Sequence, residues 1–237
     1  MVPMIRPTRI SRSVRRLAAT LAATLAATLA APLAAVLLFG VATAVAPAAE
    51  ERVALDARDR ADIARVEAYL NSIRTIRAGF IQTSTGSGFE EGRFYLRRPG
   101  KLRFDYLPAG TTQLFTEGFS LIHVDHELEQ ITYVPLSATP AGVLVDDNIE
   151  LSGKLTVTHV ERDGAVLRLR LVQNDDPDSG ALELAFSDRP LVLLRWTVFD
   201  AQGITTRVTL VDAEFNVAID DEIFVFHRPA WDETARE

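Results

Sequence analysis

His123-Val124-Asp125-His126-Glu127 is the cluster in this sequence whose side chains could ligate a metal ion. It falls on a hairpin turn, where His123 and Asp125 share a face and His126 does not. The run therefore reads as a solvated turn rather than a ligand set. Asn174 to Gly180, NDDPDSG, could suggest calcium. It lacks the spacing of an EF-hand loop and sits between two strand patterns, which makes it a plain turn. Ser87, in Gly86-Ser87-Gly88, has no strand-to-helix context for a nucleophile elbow. No glycine-rich phosphate loop opens a helix. The chain has no cysteine, which removes thiol chemistry, disulfides and a cysteine-borne lipid anchor. The expectation is a binding protein that is not an enzyme, with no catalytic residue, no metal and no cofactor.

Arg98 is the polar residue that stands out. Its guanidinium offers five donors in a fixed fork, enough to serve several backbone carbonyls at once. A solvated charge beside a turn is the other reading of the same residue. The elements around it are legible. In Gly92 to Tyr106, GRFYLRRPGKLRFDY, Phe94 and Leu96 lie on one strand face and Arg93, Tyr95 and Arg97 on the other. Pro99 and Gly100 supply a turn. Beyond it Leu102, Phe104 and Tyr106 alternate with Lys101, Arg103 and Asp105. A period of two marks a half-buried antiparallel hairpin.

The same period runs through most of the chain. Upstream, Leu55 to Ile76 carries Ile63, Val66, Leu70, Ile73 and Ile76 at helical spacing, which predicts one amphipathic helix. Twelve strands are then expected: 78–83, 89–97, 102–106, 112–116, 120–124, 129–134, 155–161, 166–172, 182–186, 191–199, 204–215 and 222–226. In the strand at 191–199, Val192, Leu194, Trp196 and Val198 alternate with Leu191, Leu193, Arg195, Thr197 and Phe199. Leu136 to Asp147 breaks the series and fits a short helix. Short connections mean antiparallel neighbours, and this many one-faced strands must curl to bury the apolar face. The fold class expected is mainly β (α+β).

Charge divides the chain. Residues 1–49 hold five arginines and no acid. Removing those five from 25 basic residues leaves 20 against 32 acidic ones, a net charge of −12 over the remaining 188 residues. Such a domain repels nucleic acid and anionic membrane surfaces. The basic leader and the charge-free run from Leu17 to Ala49 describe a signal peptide over 1–49, with Ala46-Pro47-Ala48 as a cleavage box and Ala42-Thr43-Ala44 as a second. An uncleaved anchor is the alternative on length alone, opposed by Pro32 and the weak hydrophobicity of Ala and Thr. Residues 50–237 are expected to form a single domain.

The order of these elements resembles the outer-membrane lipoprotein carrier proteins, the LolA family. Gly79-Phe80-Ile81-Gln82 precedes the hairpin with Arg98-Pro99; Ser120 to Pro135 looks like the family's next hairpin. Thr139 to Leu144 looks like its short helix, and Ile223 to Phe226, closing on Arg228-Pro229, like its last strand. The resemblance implies an unclosed antiparallel β-barrel with its apolar concave face covered by lid helices. It implies a periplasmic monomer that takes the acyl chains of lipoproteins from an inner-membrane ABC release complex to an outer-membrane lipoprotein receptor. Arg97 and Arg98 are adjacent and point to opposite faces; the motif selects Arg98 as the residue that bonds the lid helices when the cavity is empty. Phe80, Phe94, Leu96, Leu102 and Phe104 become candidate cavity walls, although alternation fits ordinary core packing equally. Gln82 is expected to satisfy backbone groups. The same cavity would serve a carrier of free lipid or glycolipid. An envelope-stress sensor of this fold usually needs an added domain, for which 188 residues leave little room.

Overall fold

The computed structural model describes residues 54–86, 88–139 and 141–234; the expected leader at 1–49 lies outside them, as do Ser87 and Pro140. Asp56 starts the first helix. Its carboxylate accepts from the Asp59 N–H at 2.7 Å, and the Asp59 carboxylate accepts from the Asp56 N–H at 2.9 Å, a reciprocal capping box. Helix α1 runs Ala57–Ser72 and buries Val66 and Leu70. It is shorter than its apolar spacing predicts. Ile73 is the cap residue in an extended conformation, and Ile76 already belongs to the first strand. Ile73, Thr75 and Ile76 are β-branched, and two neighbouring strands are available to satisfy their backbone, so the strand wins.

Eleven strands follow: β1 Thr75–Ser84, β2 Gly88–Arg97, β3 Lys101–Tyr106, β4 Thr112–Glu117, β5 Ser120–Asp125, β6 Gln130–Pro135, β7 Leu155–Asp163, β8 Val166–Gln173, β9 Gly180–Ser187, β10 Val192–Asp200 and β11 Thr205–Phe215. They form one antiparallel sheet in the order β6-β5-β4-β3-β2-β1-β11-β10-β9-β8-β7. The two halves of the chain meet where β1 pairs β11, Phe80 opposite Leu210. Strands β6 and β7 are the two edges, each paired on one side only, so the sheet does not close. It curls nonetheless. The Phe94 ring on β2 and the Trp196 ring on β10 are 5.4 Å apart, although β1 and β11 separate their strands. Three flat strand spacings would be about 14 Å.

One apolar core fills the concave side. Val66 and Leu70 of α1 pack there with Phe80, Phe94, Leu169, Leu184 and Phe186. Helix α2, Ala141–Val145, adds Leu144 and Val145 to the same core. It follows a 3₁₀ turn at Leu136–Ala138, which divides the short helix expected there in two.

Two expectations are corrected. The strand predicted at 222–226 is a 3₁₀ turn, Asp221–Phe224, whose Glu222 N–H donates to the Asp220 carboxylate at 3.0 Å. Both neighbours of β1 are already in place, so the apolar run Ile223 to Phe226 is left to pack on the sheet's outer side. Phe226 meets Phe115 there, and Phe115, Ile122 and Val124 form a second, smaller core with Phe226 and Trp231. The second correction concerns β10. A bulge between Leu193 and Arg195 slips its register against β9 by one residue. Leu193 turns into the core at 2 % exposure and Leu194 out at 36 %, the reverse of the plain alternation.

Gly92 permits a close approach of β2 to β3. A Cβ there would lie 2.1 Å from the Asp105 carbonyl oxygen and 2.7 Å from the Phe80 ring. Gly92→Ala is therefore expected to cost about 3 kcal/mol or more, read from denaturant midpoints. At the bulge, Leu193→Gln should cost about 2 kcal/mol or more and Leu194→Gln less than about 0.5 kcal/mol. Equal losses at the two leucines would place the bulge elsewhere.

Candidate functional site

Arg98 sits in the turn between β2 and β3 and is 6 % exposed. All three of its side-chain hydrogen bonds go to helix-end carbonyls. Its Nε donates to the Leu144 carbonyl of α2 at 2.7 Å. Its Nη1 donates to the Leu70 carbonyl of α1 and, at 3.1 Å, to that of Ile73. The last carbonyls of a helix have no partner inside it and carry its negative dipole end. No basic residue occupies the last turn of α1, so the cation is delivered from the sheet. Burial first, and then neighbouring Arg74, pull the guanidinium down to about 10, against Asp146 and Asp147. It remains charged at neutral pH.

The backbone of the same turn completes the clamp. Gly100, at φ 76°, donates its N–H to the Val145 carbonyl at 2.8 Å, and Arg98 donates its own to Arg74 at 2.9 Å. Buried Thr116 on β4 braces the turn from beneath: its hydroxyl donates to the Gly100 carbonyl and accepts from the Leu102 N–H, both at 2.7 Å. Arg97 points to the other face, where it bonds the Ile219 carbonyl, pairs with Asp221 and lies 5.2 Å from the Phe224 ring centre.

Other contacts hold α1 across the sheet. Arg162 on β7 reaches Asp59 at 2.9 Å and Asp62 at 2.7 Å, and Arg65 pairs with Asp188. Bonding to the Asp56 backbone and to Arg162 keeps the Asp59 carboxyl below its ordinary value. Tyr69 accepts from the Leu193 N–H at 3.0 Å. Asn71 makes a two-way bond with the Ile149 backbone at 2.9 and 2.8 Å, and Glu67 accepts from the Leu151 N–H at 2.8 Å. The segment after α2 is thereby stapled to α1.

Phe80, Phe94 and Phe104 come together as one aromatic cluster. Phe80 meets Phe104 at 5.0 Å, Phe94 meets Phe104 at 4.7 Å, and Tyr106 and Trp196 complete it. Leu96 and Leu102 pair across β2 and β3 beside the Arg98 turn. All five residues are buried and mutually packed. A cavity of about 300 Å³ opens between α2 and strands β7 to β10. Val143, Leu155, Leu171, Leu182, Val198 and Phe199 give it apolar walls, and Gln173, Asp176, Ser179 and Asp200 give it polar lining. Of these, Leu155, Leu171, Leu182, Val198 and Phe199 stood in expected strands, but nothing in the sequence marked them as lining a space. Asp176 and Ser179 belong to the acidic run read as a plain turn, which does form a 3₁₀ turn at Pro177–Ser179.

Gln82 departs from expectation. It bonds side chains rather than backbone, donating to Glu90 at 2.6 Å and accepting from the Tyr106 hydroxyl at 3.0 Å. At the His123–Glu127 turn, Asp125 accepts from the N–H groups of Glu127 and Leu128, and His126 bonds Gln113. Among the described residues no three His, Asp or Glu side chains converge to hold a metal ion.

Burial, aided by Glu90, pushes the Tyr106 phenol up from its ordinary value despite the bond to Gln82. A raised folded-state value means stability that is present below the unfolded value and lost as pH rises above it. Parent stability should therefore decline above about pH 10, and Tyr106→Phe should flatten that decline between about pH 9 and 11. Melting curves across this range test it, and identical slopes would show that Tyr106 ionises freely in the folded protein.

No helix among the described residues is long and apolar enough to cross a membrane. The family profile described as "Outer membrane lipoprotein carrier protein LolA" matches residues 71–227, from the last turn of α1 to the tail on the outer face. An outer-membrane lipoprotein carrier protein of Chromobacterium violaceum is 31 % identical over 200 residues, covering 81 % of this chain and 94 % of that one. Its counterpart from Methylococcus capsulatus is 27 % identical over 175 residues, covering 70 % and 83 %. With a profile that spans most of the sheet and a relative aligned over nearly its whole length, the chain belongs to the LolA family of outer membrane lipoprotein carrier proteins.

Proposed function

We propose that this protein is a periplasmic carrier that takes the acyl chains of lipoproteins under its helices and hands them on, making and breaking no bond. The observation that carries this reading is the Arg98 clamp: one buried cation joins two separate helices over an apolar face, through hydrogen bonds alone. Each buried methylene is worth about 0.8 kcal/mol, so acyl chains are held firmly once the apolar face is offered. The arrangement supports a two-state device. With Arg98 bonded, the face is covered and the aromatic cluster fills it; with those bonds broken, α1 and α2 can part from the hairpin. An inner-membrane ABC release complex as donor, an outer-membrane receptor as acceptor, a monomeric state and cleavage of a signal peptide over 1–49 all belong to this reading. Phe80, Phe94, Leu96, Leu102 and Phe104 are its cavity wall in the open state, and Arg98 is its lock.

Hydrogen bonds made only in the closed state stabilise that state, by about 1.5–3 kcal/mol for a charged donor. Arg98→Leu should then bind acylated cargo and hold it roughly ten- to a hundredfold longer than the parent. Transfer from loaded protein to receptor-bearing vesicles measures this. Parent-like release from Arg98→Leu would end the lock assignment. Failure of the parent to take up lipoprotein would end the carrier reading itself.

A further inference from the structure

The outer face of the sheet carries a set of arginines, and the register shows what each of them faces. Arg77 has Glu214 directly across the ladder, Arg93 has Asp105, Arg168 has Glu161 and Arg170 has Glu183. Opposite charges placed in this way stabilise a strand pair. Arg195 on β10 and Arg207 on β11 break the pattern. Arg195 stands between Ala185 and Thr209, and Arg207 between Thr197 and Thr83. The two arginines are diagonal neighbours across one ladder, close enough for long side chains to meet over one ligand. Acids outnumber bases 32 to 25 in the chain, so a shortage of carboxylates does not explain the exception.

Trp196 and Val208 belong to the core, so Thr197 and Arg207, which alternate with them, face outward. Yet Thr197 and Ala185 are each only 1 % exposed. The tail covers the outer face at Phe115, Ile122 and Val124 of β4 and β5. Across the ladders from Ala185 are Arg168 and Arg195, and across from Thr197 are Glu183 and Arg207. The arginine stems therefore lie over the two small residues. At this spot the Thr197 hydroxyl and the Arg195 Nε are both buried and make no hydrogen bond. Unpaired polar groups cost stability, and an acceptor placed between these two would recover it.

We propose that Arg195 and Arg207 form a binding site for a single phosphate group, with Thr197 and Thr209 donating their hydroxyls to it. Guanidinium forks match phosphate oxygens bidentately, and hydroxyl donors serve the oxygens left over. The carboxylate on the adjoining strand, Glu183, stands opposite Arg170 as well as Thr197. Glu161 and Asp163 are engaged by Arg168 at 3.2 and 3.6 Å. The acidic domain repels an extended polyanion, which excludes nucleic acid and an anionic bilayer as occupants. A phosphate carried singly fits, either free or as the head of one lipid molecule. The site lies on the face away from the helices and does not depend on the carrier reading.

The test titrates the whole protein at fixed ionic strength with inorganic phosphate, and separately with dihexanoylphosphatidylglycerol below its micelle concentration. At least one should bind saturably, and the Arg195 Nε–H resonance should move as its hydrogen bond forms. Tighter binding of inorganic phosphate identifies the free anion, tighter binding of the lipid identifies a head group, and either supports the site. Arg195→Gln and Arg207→Gln should each lower affinity about tenfold or more, and Arg195→Lys should stay below the parent. Arg93→Gln, whose arginine has its own carboxylate across the ladder, should change affinity less than about twofold. Thr197→Val should weaken binding while leaving the unliganded protein at least as stable, because it removes an unpaired hydroxyl. Binding that survives both glutamine substitutions, or that falls equally in Arg93→Gln, would overturn the site. So would a parent that binds neither probe, or an Arg195 Nε–H that stays in place at saturation. Should a variant fail to fold, the resonance in the parent still decides.

Discussion

The structure depends on how two helices end. A helix leaves its last carbonyls without partners, and α1 and α2 both end against the hairpin turn between β2 and β3. One guanidinium and one backbone N–H satisfy those ends together. Nothing apolar could do the same, and a lysine would bring a compact charge without the planar fork. Burying the cation is costly, as its lowered proton affinity records, and the cost is offset only while the carbonyls stay in place. The contact is therefore conditional: strong when both helices are seated and unfavourable when either departs.

Covering the sheet is the complementary problem. Eleven strands with an apolar concave face need a roof, and α1 alone spans only part of it. The roof is assembled from pieces held by polar contacts at their margins. Arg162 grips the start of α1, Arg65 anchors its middle and Tyr69 its last turn, and Asn71 and Glu67 hold the segment that follows α2. The outer face is treated differently. Its apolar patch at Phe115, Ile122 and Val124 is covered by the chain's own tail.

Much of this was legible in the sequence, and the failures have physical reasons. Strict alternation around Phe94 and Phe104 identified the hairpin, because a one-residue slip there would bury Arg93 and Arg103. It misread β10, where Leu191 to Leu194 is apolar at every position and no polar residue fixes the phase; a bulge then exchanged Leu193 for Leu194. It misread Ile223 to Phe226 for the same lack of alternation, with Asp220 and Glu222 supplying a turn instead. Arg98 was singled out by its motif, but its partners lie 25 to 46 residues away and only the fold brings them in. The cavity near Val143 left no sequence signal. Its walls are ordinary leucines and valines, and emptiness is a property of their arrangement.

The two free edges, β6 and β7, have a mechanical consequence. A closed barrel fixes its girth through strand number and stagger, so its interior cannot grow without rupturing a ladder. A sheet with two free margins is a hinged ribbon. It can uncurl by small changes in twist spread over ten strand pairs, keeping every ladder bond. The elastic cost of girth is then low, and the bolts that set it are the side-chain contacts that tie the helices to the sheet. For such a molecule, capacity is an adjustable dimension governed by a handful of residues rather than by the fold as a whole.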